Sequence, residues 1–130
     1  MLASATRKLT GTARAGLEEE GYGMAHYRVL HTLMQHPAIP VAELLSILDI
    51  RKQSLHRVLK PLLEAELIVQ TPGDVDRRQR LLRLSARGEA MVRSLTIKAR
   101  NDMAEAFRLA GPAAVAGFRA VLHQLTEKSR

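Results

Sequence analysis

The 130-residue chain contains no cysteine. This absence excludes thiol catalysis, disulfide bonds, cysteine-based zinc sites and cysteine redox sensing, and it is compatible with a reducing cytosol. No apolar run approaches the roughly 18 residues of a membrane span, and residues 1–8 lack the continuous apolar stretch of a secretion signal. We therefore predict a cytoplasmic protein with no membrane partner.

Aromatic residues are scarce, which argues against a platform that stacks the bases of single-stranded nucleic acid. The four aromatic residues are Tyr22, Tyr27, Phe107 and Phe118. Catalysis needs a nucleophile with a partnered base, and a metal site needs converging ligands. The sequence shows no pattern typical of either. His26, His31 and His36 lie five residues apart, which spreads them around a helix, unlike an i, i+4 metal-binding pair. We predict that the chain is not an enzyme and has no metal site and no cofactor.

The chain is strongly basic, with a formal net charge of +7 and a pI near 10.6. Such a balance favours a polyanionic partner, although a basic soluble protein without one would have the same composition. The charge is concentrated, because residues 51–83 contain eight arginines and lysines against four acidic residues, a formal charge of +4. A hydrophobic share of 46% is sufficient for the core of one folded domain.

Apolar residues at spacings of three and four predict six helices, each with one apolar face. The third and fourth are separated by Asp49, a residue type that tolerates left-handed backbone geometry, and they form a helix-turn-helix pattern. Pro61 lies within the fourth helix, so we expect a kink or an early end just before it. Ser85 is the expected N-cap of a long fifth helix, which Gly111-Pro112 separates from the last one.

Two short apolar runs follow the fourth helix and predict a β-hairpin. The runs are residues 67–69 and 81–84, and a Pro-Gly turn and an arginine-dense segment lie between them. The order helix, strand, charged tip, strand is typical of a winged helix-turn-helix, in which a helix enters the major groove of DNA and a basic hairpin can reach the minor groove. The predicted fold class is mostly α with a small β-hairpin wing.

The flanking helices carry more apolar surface than a small DNA-binding core can cover. We therefore predict an N-terminal dimerisation helix at residues 1–21, a winged helix-turn-helix DNA-binding core at residues 22–88, and C-terminal dimerisation helices at residues 89–130. Packing of the flanking helices within one subunit is the alternative.

Side chains of the fourth helix and of the hairpin tip are the predicted DNA contacts. Those near the start of the helix are placed for base edges, since Gln can bond adenine bidentately and Lys can reach guanine. Those further along the helix are placed for phosphates. The predicted DNA-binding residues are Arg51, Lys52, Gln53, Ser54, His56, Arg57, Lys60, Asp76, Arg77, Arg78 and Arg80. A solvated surface charge is the alternative for each basic residue taken alone.

Asp76 is an acidic residue within the basic tip, where it repels phosphate unless it holds an arginine. Its carboxylate could bond the guanidinium of Arg78 and fix it for insertion into the minor groove. The alternative is an aspartate that only shapes the turn.

These motifs resemble the MarR family of bacterial transcriptional regulators over about residues 22–91. The resemblance rests on Tyr27-Arg28-Val29-Leu30, Glu43-Leu44, Leu48, Arg57, Leu67-Ile68, Asp76-Arg77-Arg78 and Leu82-Arg83-Leu84-Ser85-Ala86-Arg87-Gly88. Each piece is short, and their order and spacing together make the match specific. Four positions depart from the family pattern: Glu66 stands where glycine is usual, Gln70 where an arginine often lies and Leu45 where a small residue is common, and Pro61 interrupts the recognition helix. The N-terminal helix is also short.

The resemblance implies a DNA-binding regulator, by family default a repressor, that binds a palindromic operator in double-stranded DNA as a homodimer. It also implies release by a small anionic or aromatic effector between the dimer helices and the reading head. His26, Tyr27 and His31 lie in the helix where an effector would bind, and each also suits a core or dimer position. Two alternatives stay open: a winged-helix protein-interaction module that has lost DNA binding, and a metal-sensing regulator.

Overall fold

Within residues 1–127, the chain folds into six helices and one small sheet. The computed structural model describes residues 1–127, apart from the side chain of residue 12, so residues 128–130 of the C-terminal segment lie outside the described residues. The elements are α1 (Leu2–Glu19), α2 (Met24–Gln35), β1 (Ile39–Pro40), α3 (Val41–Leu48), α4 (Lys52–Glu64), β2 (Ile68–Pro72), β3 (Arg80–Leu84), α5 (Ala86–Ala110) and α6 (Pro112–Glu127). The predicted helices and the hairpin are present, and the winged helix-turn-helix fold class is confirmed.

The main core lies between α2, α3, α4 and the sheet. Its fully buried side chains are Val29, Leu30, Leu33, Leu44, Leu55, Leu62, Ile68 and Leu82. Burial of one such side chain is worth roughly 1.5–3 kcal/mol, so this set fixes how the two helices of the helix-turn-helix sit on the sheet. A smaller cluster of Ala13, Leu17 and Leu95 packs α1 against α5.

The sheet has three antiparallel strands in the order β1-β3-β2, one more than the sequence predicted. The additional strand, β1, has only two residues, and it pairs Ile39 with Leu82 and Pro40 with Leu81. Two residues show no periodicity, so only the pairing with β3 makes this segment a strand. It covers one edge of β3, while β2 covers the other.

The turn of the helix-turn-helix has the geometry predicted for Asp49. This residue has φ 52 and ψ 51, in the left-handed region, and it ends α3. Its amide donates to the Ser46 carbonyl at 3.3 Å, and the Ile50 amide donates to Leu45 at 3.4 Å. The backbone therefore reverses into α4 through one residue of a type that accepts this conformation.

Pro61 does not end α4. The helix continues to Glu64 with Pro61 inside it, so the early end, one of the two predicted outcomes, is wrong, and the kink stays a prediction. A proline in a helix interior costs about 3 kcal/mol, but Leu59 before it and Leu62 after it are both buried in the core. Proline has no amide hydrogen to donate one turn back, and the carbonyl concerned belongs to Arg57, an exposed residue.

The end of α4 is a Schellman motif with an unusual residue at its left-handed position. The Glu66 amide donates to the Leu63 carbonyl and the Leu67 amide to the Leu62 carbonyl, both at 3.0 Å. Glu66 has φ 58, the conformation that glycine usually provides at this position. This geometry gives a physical reason for the glycine of the family pattern.

We expect Glu66→Gly to raise the free energy of unfolding by about 1 kcal/mol, because glycine removes the cost of a left-handed backbone. Glu64→Gly is the matched control, since it removes the same charge from a helical position and should lower stability by about 0.5–1 kcal/mol. Urea denaturation of both variants measures the difference. A loss of stability in Glu66→Gly would contradict the assignment of strain to this residue.

Candidate nucleic-acid interface

α4 has one buried face and one exposed basic face. Leu55, Leu59 and Leu62 form the buried face. All predicted contacts of this helix are exposed: Arg51, Lys52, Gln53, Ser54, His56, Arg57 and Lys60. Because Arg51 is the N-cap, the predicted base-reading residues lie in the first turns, the part of a recognition helix that contacts base edges.

The basic side chains of α4 and of the wing have no carboxylate partner in the described part of the chain. Between residues 1 and 127, the ion pairs are Arg93–Glu89, Lys98–Asp102 and Arg108–Glu105 on α5, and on α6 the His123 imidazole lies 3.4 Å from the Glu127 carboxylate. The excess positive charge of residues 51–83 is therefore not neutralised by intramolecular ion pairs. It remains available for phosphate groups.

The wing turn is held by backbone hydrogen bonds and by the side chain of Asp76. The Gly73 amide donates to the Gln79 carbonyl at 2.8 Å, and the Gln79 amide donates to the Asp76 carbonyl at 3.1 Å. A Cβ at Gly73 would lie 2.5 Å from that same Asp76 carbonyl oxygen, so the turn has no room for a side chain there. The turn thus presents Arg77, Arg78 and Arg80 as exposed side chains.

Asp76 bonds the backbone of Arg78, not its guanidinium. Its Oδ1 accepts a hydrogen bond from the Arg78 amide at 2.9 Å, and in the described part of the chain no ion pair joins it to an arginine. The predicted bond between Asp76 and the guanidinium of Arg78 is therefore wrong, and Asp76 instead shapes the turn. A short aspartate reaches the amide two residues ahead without ordering a long side chain, which explains why the turn bond forms.

Three arginines outside the predicted contact set bind the protein itself, and sequence reasoning missed them. Arg28 Nη2 donates to the Leu48 carbonyl at 3.2 Å, Arg83 Nε to Thr71 Oγ1 at 3.1 Å, and Arg87 Nη1 to the Ala65 carbonyl at 3.2 Å. The acceptors are 12 to 22 residues away in sequence. No local pattern marks such pairs.

Ser85 joins the start of α5 to the chain that follows α4. As predicted it is the N-cap, and its Oγ accepts the Gly88 amide at 3.0 Å. The same hydroxyl donates to the Glu66 carbonyl at 2.6 Å, and the Ser85 amide donates to the Leu67 carbonyl at 3.0 Å. One residue therefore caps a helix and ties it to the recognition helix.

A cavity of about 650 Å³ lies between α1, α2 and α5. Of the three predicted effector residues, only His31 lines it, together with Leu9, Arg93, Arg100 and Phe107 among others. Arg93 and Arg100 were not predicted. Their spacing of seven, which puts both on one helix face, is the signal that could have identified them.

His26 and Tyr27 have surroundings that differ from those of His31. His26 Nδ1 accepts the Gly23 amide at 3.0 Å at the start of α2, and burial lowers the pKa of His26 below its usual 6.5. Tyr27 packs against the cluster of Ala13, Leu17 and Leu95, and burial raises its pKa above 10.0. Both side chains are partly buried and contribute to the packing of α2.

Across residues 1–127, no three histidine, aspartate or glutamate side chains converge in a way that could hold a metal ion. Nor does any helix in that part of the chain have the length and apolar character needed to cross a membrane.

Known proteins resemble this chain in both sequence and fold. A sequence model of the MarR family matches residues 20–79. The HTH-type transcriptional regulator PetP of Rhodobacter capsulatus is 40% identical over 111 residues, which are 85% of this chain and 67% of PetP. The crystal structure of Rv1404 from Mycobacterium tuberculosis is 29% identical and superposes with a TM-score of 0.77 over 97% of this chain and 88% of that one.

A more distant structure has the same fold. A cysteine-to-serine mutant of MarR from E. coli, crystallised with operator DNA, is 18% identical, with a TM-score of 0.66 over 95% of this chain and 89% of that one. The identity to PetP, which is named a transcriptional regulator, covers 111 residues and therefore extends well beyond the helix-turn-helix. The chain therefore belongs to the MarR family of winged helix-turn-helix transcriptional regulators.

Proposed function

We propose that this regulator is a homodimeric repressor that binds a palindromic operator and is released by a small-molecule effector. The observation that carries the proposal is the set of exposed basic side chains on α4 and the wing, none with a carboxylate partner in the described part of the chain. In this proposal the first turns of α4 read bases in the major groove and the wing arginines enter the minor groove. The DNA complex of E. coli MarR supports it by analogy of fold.

The proposed dimer is supported by the unburied apolar face of α6. None of its residues is buried in the single chain, and its exposed apolar side chains are Phe118, Val121, Leu122 and Leu125. An apolar groove of about 630 Å³ lies beside them, between α1, α5 and α6. We assign residues 1–21 and 89–130 to dimerisation and residues 22–88 to DNA binding, with α5 belonging to both parts. We propose that a second copy covers this face, since contiguous exposed apolar side chains mark interaction sites.

Repression is the proposed regulatory sense, because a dimer bound across a promoter excludes RNA polymerase from it. Transcription in vitro from the DNA upstream of the gene should fall as the protein is added. A rise in transcript would contradict repression while leaving operator binding intact.

Footprinting and fluorescence anisotropy with the DNA upstream of the gene test whether the protein binds an operator there. We expect protection of two half-sites about 10 base pairs apart, bound by a species of twice the 14.4 kDa chain mass in light scattering. The logarithm of the association constant should fall linearly with the logarithm of salt concentration, by about 0.9 per phosphate contact.

Salt-independent or undetectable binding would contradict the DNA-binding proposal and favour the protein-interaction alternative. A monomer near 14.4 kDa would contradict the dimer. Pro61 and Glu66 are the two residues that motivate the protein-interaction alternative, and the continuity of α4 through Pro61 weakens the first of these reasons.

We place the proposed effector in the cavity between α1, α2 and α5. Arg93, Arg100 and His31 provide donors for an anionic group, while Leu9 and Phe107 provide apolar contacts for a ring. Benzoate at millimolar concentration is the probe, and we expect it to lower operator affinity of the wild-type dimer. Arg100→Gln should abolish this response without changing affinity in its absence. An equal response in the variant would contradict this placement of the effector.

A further inference from the structure

The first turn of α5 binds the carbonyl groups at the end of the recognition helix. The carbonyls of Ala65, Glu66 and Leu67 accept, in order, the guanidinium of Arg87, the hydroxyl of Ser85 and the amide of Ser85. Gly88 permits the approach, because a Cβ there would overlap the Leu67 carbonyl oxygen. We call this arrangement the α4–α5 junction. It joins the recognition helix to the helix that we assign to both the core and the dimer.

A second arginine binds a carbonyl group at the end of α3, the other helix of the helix-turn-helix. Arg28, on α2, donates to the carbonyl of Leu48, the last residue of α3. We call α3 and α4 the reading head, and each of these two helices ends beside a guanidinium from another helix, α2 or α5. The C-terminus of a helix carries partial negative charge and unpaired carbonyls, so a cationic donor there is favourable.

We propose that Arg28 and Arg87 are positioning residues of the reading head, which set the orientation of α3 and α4 without contacting DNA. This inference rests on the proposed operator binding. Both are exposed arginines beside the DNA-binding segment of residues 51–83, and neither belongs to the predicted DNA contacts. Their bonds to helix-terminal carbonyls distinguish them from Arg57 and Lys60, whose side chains have no hydrogen-bond partner in the described part of the chain.

The length of α4 makes its orientation sensitive to these bonds. A helix of 13 residues is about 20 Å long, so a tilt of about 5° at its C-terminus moves its N-terminal side chains by about 1.7 Å. Hydrogen bonds to base edges do not tolerate a displacement of that size. Loss of either arginine should therefore weaken binding at the opposite end of the helix.

The salt dependence of operator affinity distinguishes a positioning residue from a residue that contacts phosphate. In the full-length protein, Arg87→Met and Arg28→Met should each lower operator affinity about three- to ten-fold, with the salt slope unchanged. Arg57→Met is the control, because loss of one phosphate contact per subunit should reduce the slope of a dimer by about 1.8. Arg87→Lys keeps a charged donor and should recover most of the affinity.

A slope reduced by about 1.8 in Arg87→Met or Arg28→Met would overturn the proposal, because it would show a phosphate contact. Unchanged affinity would overturn it as well, whatever the effect on thermal stability.

Amide hydrogen exchange tests the α4–α5 junction without DNA. Arg87→Met should accelerate exchange in residues 60–67, with protection in α2 unchanged. Unchanged exchange in residues 60–67 would overturn the role of Arg87. A wild-type protein that fails to bind DNA would contradict the proposed function alone, and the exchange result would still decide the role of Arg87.

Discussion

Replacement of Gly88 by alanine is expected to lower the free energy of unfolding by about 3 kcal/mol. The new Cβ would overlap the Leu67 carbonyl oxygen and also lie 3.0 Å from the Leu67 carbonyl carbon and 3.1 Å from Leu84 Cδ2. Two of these atoms are backbone, and the same carbonyl oxygen accepts the Ser85 amide, so the neighbours cannot move aside without breaking that bond. Urea denaturation at a fixed protein concentration measures the loss.

Gly11→Ala is the matched control for this substitution. Gly11 lies within α1, and a Cβ built on it meets nothing within 4 Å. Alanine there should raise stability by about 0.5–1 kcal/mol, because it restricts the unfolded chain and favours the helix. Similar stability in Gly88→Ala and wild type would show that α5 can move away from the backbone of Leu67, and the α4–α5 junction would then not be rigid.

Arg78→Ala is expected to lower operator affinity ten-fold or more, corresponding to about 1.4 kcal/mol or more, with the fold retained. Arg78 is exposed at the wing turn, and its backbone is fixed by Asp76, so the guanidinium extends from an ordered position. Anisotropy titration of the operator measures the change. Arg108→Ala is the control, because this arginine pairs with Glu105 on α5 and lies outside the reading head. Equal affinities for wild type and Arg78→Ala would refute the role of the wing.

Substitutions of Asp76 separate its two possible roles. The bond that it makes is to the Arg78 amide, and asparagine also has a side-chain oxygen that accepts such a bond. We therefore expect Asp76→Asn to keep operator affinity or raise it, because the turn survives and a negative charge near phosphate is lost. Asp76→Ala should lower affinity about five-fold through loss of the turn bond. Weaker binding of Asp76→Asn than of Asp76→Ala would contradict the turn role.

Local sequence signals predicted several of the helix boundaries. Asp49 was expected to accept the left-handed turn, Ser85 to cap α5, and Gly111-Pro112 to separate α5 from α6, and the structure has all three. These signals act within a few residues of chain, where backbone sterics and capping decide the conformation.

Pro61 and Asp76 show where local signals fail. The helix continues through Pro61 because Leu59 and Leu62 are buried against residues distant in sequence. Asp76 had two chemically reasonable partners on Arg78, and the folded turn brought its carboxylate to the amide and not to the guanidinium. In both cases the deciding contact depends on three-dimensional packing.

The sequence by itself determined the helix-turn-helix order, the concentration of positive charge in residues 51–83 and the exclusion of cysteine chemistry. These properties follow from composition, from periodicity and from interactions between near neighbours. Only the tertiary structure decided that β1 pairs with β3, that α4 continues to Glu64, and that Arg28 and Arg87 bond the ends of the two reading-head helices. The physical reason is that each of these contacts joins groups that come together only when the core between α2, α4 and the sheet has formed.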